Sequence, residues 1–130
     1  MKALVVEDDF TSRLVMQKHL KRFGDVHTAV NGEEAMNAFQ TAYEEQEPYD
    51  LVCLDVMMPG KDGQAVLKEI RAFEESKAPN RGKRAIIFMT TGLNDKANVL
   101  TAGSLCDAYL IKPISYHVLQ DRLTKVGLIK

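Results

Sequence analysis

Five short apolar runs, each of strand length, recur along the chain at Ala3 to Val6, Val26 to Val30, Leu51 to Leu54, Ala85 to Met89 and Ala108 to Ile111. The segments between them carry helical rather than strand periodicity. Met16, Leu20 and Phe23 stand at i, i+4 and i+7, and Gly24 follows where a helix C-terminus favours a residue tolerant of positive φ. After the Asn31-Gly32 turn, Ala35, Phe39 and Ala42 repeat the spacing, and after Gly63 so do Val66 or Leu67, Ile70 and Phe73. A weaker helix is predicted over Asp95 to Ala102, between Gly92 and Gly103. A last one, with Leu119, Leu123 and Val126 on its face, starts near Ser115 as N-cap. Apolar strands alternating strictly with helices predict an α/β, doubly wound, five-stranded parallel sheet, because only helices on both faces keep continuous apolar strands dry.

The chain has 130 residues, enough for one hydrophobic core, and residues 1-130 read as a single domain without repeats or a linker. Ser76 to Arg84 is the one long irregular connection; its basic residues Lys77, Arg81, Lys83 and Arg84 read as a solvated loop. A formal net charge of -1 provides no global field for nucleic acid or an anionic membrane, so no direct nucleic-acid binding is expected. No window approaches the roughly 18 apolar residues of a membrane span. Acidic residues follow the first apolar run at once, unlike a signal peptide, and Cys53 and Cys106 lie far apart as small thiols suited to a reducing compartment. A cytoplasmic protein is expected. Met1 at the start and an end soon after the last helix are expected for a chain of one domain.

In an open parallel sheet the ligand crevice lies beyond the carboxyl ends of the strands. Strand one ends there in Glu7-Asp8-Asp9, strand three in Asp55, strand four in Thr90-Thr91 and strand five in Lys112-Pro113. Close carboxylates repel, and a divalent cation or raised pKa values must relieve that repulsion. Mg2+ is the expected solution: a hard ion that takes oxygen ligands, retains waters and is commonly shared between one or two carboxylates and phosphate oxygens. Lys112 adds an ammonium and Thr90 a hydroxyl donor. Such a set would neutralise an arriving phosphoryl group, with Asp55 as the nucleophile that becomes an acyl phosphate. Asp8 and Asp9 have an alternative reading as caps of the first helix, and Tyr109 as an ordinary core aromatic.

The stretches "ALVVEDD", "YDLVCLDVMMPGKDG", "IIFMTTG" and "DAYLIKP", which together span nearly the whole chain, resemble the receiver domains of two-component response regulators. The resemblance implies a flavodoxin-like fold with strand order 2-1-3-4-5, an order known for chemotaxis-type receivers. It implies Asp55 as phosphoacceptor, Asp8 and Asp9 as the acidic metal pair, and the Met57 backbone carbonyl as a further ligand of Mg2+, with Mn2+ able to substitute. Thr90 matches the switch hydroxyl, Tyr109 the switch aromatic and Lys112 the family's lysine, its bond to Pro113 cis. The implied partners are a histidine kinase or phosphotransfer protein upstream and a protein target downstream, for a monomer or weak dimer without membrane insertion. Output is expected through Asp95 to Ala102, Asp107 to Ile111 and Ser115 to Val126. The chain would then be no enzyme beyond its own phosphorylation and dephosphorylation. Thr91, where the family usually has alanine, and the long connection before strand four depart from the pattern and bear on access to Asp55.

Two rival classes fit less well. Aspartyl-phosphate phosphatases of the haloacid-dehalogenase type carry Asp-x-Asp-x-Thr, but Asp55 is followed by Val56 and Met57. A nucleotide-binding domain would need a glycine-rich phosphate loop after strand one, and none is present.

Overall fold

The computed structural model describes residues 1–77, 84–92 and 105–130. Its five strands are β1 (Lys2–Val6), β2 (Asp25–Ala29), β3 (Leu51–Asp55), β4 (Ile86–Thr91) and β5 (Ala108–Ile111). The helices among the described residues are α1 (Phe10–Leu20), α2 (Gly32–Glu44), α3 (Gly63–Ser76) and α4 (Tyr116–Lys125). All neighbouring strands pair in parallel, in the order β2-β1-β3-β4-β5. That is the flavodoxin-like arrangement expected. The weak helix predicted over Asp95 to Ala102 lies outside the described residues, as does most of the basic connection before β4.

Alternation along the strands divides the core in two. Leu4 and Val6 of β1, Val52 and Leu54 of β3, and Ile87 and Met89 of β4 face Phe39 of α2 and Leu67 and Ile70 of α3. Ala3, Val5, Leu51, Cys53 and Phe88 face the other way, onto Met16 and Leu20 of α1 and Leu119 and Leu123 of α4. Each Leu, Ile or Phe fully buried in this way contributes about 1.5–3 kcal/mol of transfer free energy, so both faces hold the helices.

Local chemistry fixes the element ends. The Asn31 side chain accepts from Glu34 N–H at 2.8 Å, while Glu34 Oε1 accepts from Val30 N–H at 3.2 Å, which ends β2 before Val30 rather than at it. The Ser115 hydroxyl accepts from Val118 N–H at 3.1 Å, as expected of the N-cap. β4 runs two residues further than its apolar stretch, because Thr90 and Thr91 continue the ladder opposite Asp55 and Ile111. Gly24 has no positive φ, contrary to the capping role expected for it. It is needed for space: a Cβ there would stand 1.9 Å from the Met1 carbonyl oxygen.

Candidate functional site

β1 and β3, adjacent at the centre of the sheet, both run out into acidic residues at the same edge. Glu7 directly follows β1 and is 3% exposed; Asp55 closes β3 and is also 3% exposed. One carboxylate oxygen from each of Glu7, Asp8 and Asp55 lies within 4.8 Å of the other two. Lys112, following the short β5, brings its Nζ to 2.7 Å from Glu7 Oε1 and 3.2 Å from Asp55 Oδ1. Its peptide bond to Pro113 is cis. Asp55 Oδ1 also accepts from Met57 N–H at 3.2 Å.

The electrostatics are unbalanced. Two buried carboxylates share one ammonium, and Asp8 adds a third negative group at the exposed side. Burial and then the neighbouring Asp55 push the Glu7 carboxyl up to about 7, although Lys112 pulls the other way. Burial alone would lower Lys112, but its bonds to Glu7 and Asp55 outweigh that and hold it above its ordinary range. Three oxygen donors around a site with surplus negative charge are the donor set a hard divalent cation takes. The arrangement fits such an ion.

The expected residues fall into three groups. Asp55, Asp8 and Lys112 are brought together as anticipated, and Thr90, 4% exposed, stands beside Asp55 in strand register. Asp9 is not in the cluster. Its side chain accepts from Ser12 N–H at 2.8 Å as the N-cap of α1, which holds its carboxyl below the usual range. The carboxylates that cluster with Asp55 are therefore Glu7 and Asp8, one residue ahead of the expected Asp8 and Asp9. The sequence signal for this was the cap itself: the residue just before Phe10 opens the helix, and its side chain turns to the first-turn N–H groups. Tyr109 lies one strand further out, opposite Met89, half-buried against the core beneath α2 and α3. The Met57 side chain is exposed.

Around the acids, the chain is tightly tied. Val56 N–H donates to the Thr90 carbonyl at 2.9 Å and Gly63 N–H to the Val56 carbonyl at 3.0 Å. A Cβ on Gly63 would stand 2.0 Å from the Asp55 carbonyl oxygen, so the first turn of α3 sits directly on the acceptor's backbone. A cavity of about 160 Å³ opens beside the acids, lined by Glu7, Val15, Met16, Thr90, Lys112 and Ile114.

The profile of the response regulator receiver domain matches residues 3–124. The chain belongs to that family. It is a receiver domain of the kind found in two-component systems. The probable transcriptional regulator ycf27 of Guillardia theta is 39% identical over 127 residues, 96% of this chain and 44% of that protein. The chain spans less than half the length of the ycf27 relatives it matches. Among solved structures, a chain from the co-crystal of the Saccharomyces cerevisiae phosphotransfer protein Ypd1 with the receiver domain of Ssk1 superposes with a TM-score of 0.79. It is 26% identical and covers 98% of this chain and 89% of its own. The receiver domain of the Arabidopsis thaliana histidine kinase CKI1, solved with Mg2+ and BeF3-, gives a TM-score of 0.72 at 28% identity, covering 95% and 89%. Among the described residues no helix is long and apolar enough to cross a membrane.

Proposed function

We propose that this receiver accepts a phosphoryl group on Asp55 from a phosphohistidine of a kinase or phosphotransfer protein, and signals through the resulting change in its surface. The observation that carries the reading is the placement of Lys112 Nζ 3.2 Å from a buried Asp55 inside the Glu7, Asp8 and Asp55 cluster. An Asp55 carboxylate oxygen attacks phosphorus, the P–N bond to the donor imidazole breaks, and the imidazole leaves with its electron pair. Glu7, Asp8, Asp55 and the Met57 carbonyl are the residues to hold Mg2+, or Mn2+ in its place. When bound, the ion neutralises charge on the phosphoryl oxygens. Lys112 then exchanges its bond to Glu7 for one to a phosphoryl oxygen, and Thr90 donates its hydroxyl to another. The reading suits a cytoplasmic protein in which residues 1–130 form one receiver domain, with no enzymatic turnover there beyond its own phosphorylation and its reversal.

The complex of the similar Ssk1 receiver with Ypd1 supports a phosphotransfer protein as donor. So does the outer face of α1, where Phe10, Leu14 and Val15 remain exposed next to the site. Output is proposed through residues 95–102, 107–111 and 115–126, reached from Thr90 by way of Tyr109. The test is intact mass after incubation with acetyl phosphate and Mg2+: the wild type gains one phosphoryl group, and Asp55→Asn gains none. Equal labelling of that variant refutes the assignment.

A further inference from the structure

Among the described residues β5 is an edge strand, hydrogen-bonded to β4 alone. It is four residues long, and of its side chains only that of Leu110 is buried. A strand with so little to bury has a register weakly specified by packing. The candidate site nevertheless depends on that register. Lys112 directly follows β5, and a slip of one residue would carry it about 3.3 Å along the strand and turn its side chain to the opposite face. Its Nζ stands 2.7 Å from Glu7 Oε1 and 3.2 Å from Asp55 Oδ1, so such a slip would take the ammonium out of reach of the nucleophile.

What holds the register is a side chain of α3 at the entry of the strand. Arg71 is 7% exposed. Its Nε donates to the Leu105 carbonyl at 2.8 Å and its Nη2 to Asp107 Oδ2 at 3.2 Å, both just before β5. Its Nη1 donates to the Ala85 carbonyl at 2.9 Å, just before β4, and to Glu74 Oε1 at 2.7 Å. Glu74 Oε2 accepts from the Ala85 N–H at 2.8 Å, so α3 holds both backbone polar groups of that residue. Asp107 closes the link. Its carboxylate accepts from Ile87 N–H at 2.8 Å and its own N–H donates to the Ile87 carbonyl at 2.8 Å, one step before the Phe88–Ala108 pair of the ladder. A guanidinium is a rigid planar fork, so donors that grip the entries of two strands at once admit one offset between them.

The same helix is the reference for the nucleophile, because Gly63, its first residue, donates its N–H at 3.0 Å to the carbonyl of Val56, next to Asp55. We propose that Arg71 is a positioning residue for phosphoryl transfer to Asp55: by fixing the offset of β5 on β4 at the strand entries, it places Lys112 Nζ against the nucleophile at their exits. The inference rests on the reading of Asp55 as phosphoacceptor and Lys112 as the cation that meets the phosphoryl group. Arg71 touches neither and acts through the strand. β4 depends on it less, because β3 pairs with β4 along its other side.

The experiment follows phosphorylation of the full chain by acetyl phosphate at saturating Mg2+, read as intact mass against time, in a double-mutant cycle of Arg71→Lys and Lys112→Met. A lysine keeps a positive charge beside Glu74 but has no fork to span the two strand entries. In the wild-type background Arg71→Lys should slow phosphorylation at least about tenfold, since a misplacement of about 1 Å costs up to about a hundredfold. In the Lys112→Met background, already slow, it should slow the reaction no further. In the ligand-free protein, hydrogen exchange of the Lys112 N–H, bonded to the Thr91 carbonyl at 2.8 Å, should quicken in Arg71→Lys. Exchange of the Val56 N–H, bonded to the Thr90 carbonyl at 2.9 Å, should stay as in the wild type. Should Arg71→Lys not fold, Asp107→Asn takes its place in the cycle, because it keeps an acceptor for Ile87 N–H and loses the charge facing Arg71. A wild-type rate in the Arg71 variant, unchanged exchange at Lys112, or an equal further loss in the Lys112→Met background overturns this proposal alone. Labelling of Lys112→Met at the wild-type rate overturns the role of Lys112, and this proposal with it.

Discussion

Replacing Lys112 by Met should destabilise the ligand-free protein, do so mainly at high pH, and at the same time tighten its grip on Mg2+. The ammonium stands 2.7 Å from Glu7 Oε1 and 3.2 Å from Asp55 Oδ1, both on carboxylates almost wholly buried. Removing one partner of a buried pair costs about 3–5 kcal/mol because the remaining charge is uncompensated. The Lys112 side chain is 27% exposed, so water softens the loss and the lower end, about 3 kcal/mol, is expected. The pH dependence follows from Glu7, which already sits at about 7 against an unfolded value of 4.5. A carboxyl raised in the folded state binds protons more tightly there than in the unfolded chain, so stability falls as pH rises from 4.5 toward 7. Without Lys112 that folded value rises further. The variant should therefore be near wild-type stability at about pH 5, with Glu7 protonated, and show the full deficit only at about pH 8. Mg2+ no longer competes with an ammonium for the same oxygens, so its affinity should rise although phosphorylation slows. Urea unfolding at both pH values, with and without Mg2+, measures each effect. An equal deficit at the two pH values, or weaker Mg2+ binding in the variant, refutes the reasoning.

Glu7→Gln should weaken Mg2+ binding at least about tenfold, the loss of one carboxylate from a hard-ion site, whereas Asp9→Asn should leave it nearly unchanged. Asp9→Ala should instead cost about 1 kcal/mol in thermal or urea unfolding, as a lost helix cap does, and the reverse pattern in a Mg2+ titration would restore Asp9 to the metal site. Met57→Asn combined with Gly92→Glu should speed hydrolysis of the Asp55 phosphate, since neither native residue has a side chain able to orient an attacking water; an unchanged decay rate counts against this. Cys53, buried on the α1 side with its thiol pushed up to about 12, should resist alkylation in the native protein and react only once it unfolds, as mass mapping of the modified thiol would report.

The features most readable from sequence were those carried by repetition. Continuous apolar runs at β1, β3 and β4 could satisfy only a sheet covered on both faces, and the structure covers both. Asp55 and Lys112 were readable because ionisable groups at apolar strand ends require partners, and each found the other. The order of the strands came from family resemblance, since nothing in the periodicity of a strand records its neighbour. The sequence could not say which of Glu7, Asp8 and Asp9 cluster with Asp55, because the three are chemically alike and only the geometry of the α1 cap separates them. Arg71 was invisible for a related reason. An arginine between Glu69 and Glu74 in a helical pattern reads as a solvated side chain until the entries of β4 and β5 arrive beneath it.

The contact at Gly63 makes the two banks of the crevice mechanically unequal. Because no Cβ intervenes, the start of α3 lies hard against the backbone of Asp55 and is pinned by the Gly63 to Val56 bond. That bank has no slack: a bulkier residue could enter only by lifting the helix, and the helix could shift only by dragging the acceptor with it. An event at Asp55 therefore has an anvil on the α3 side, and the displacement it generates is directed the other way, across β4 toward the short β5 and its partly covered tyrosine.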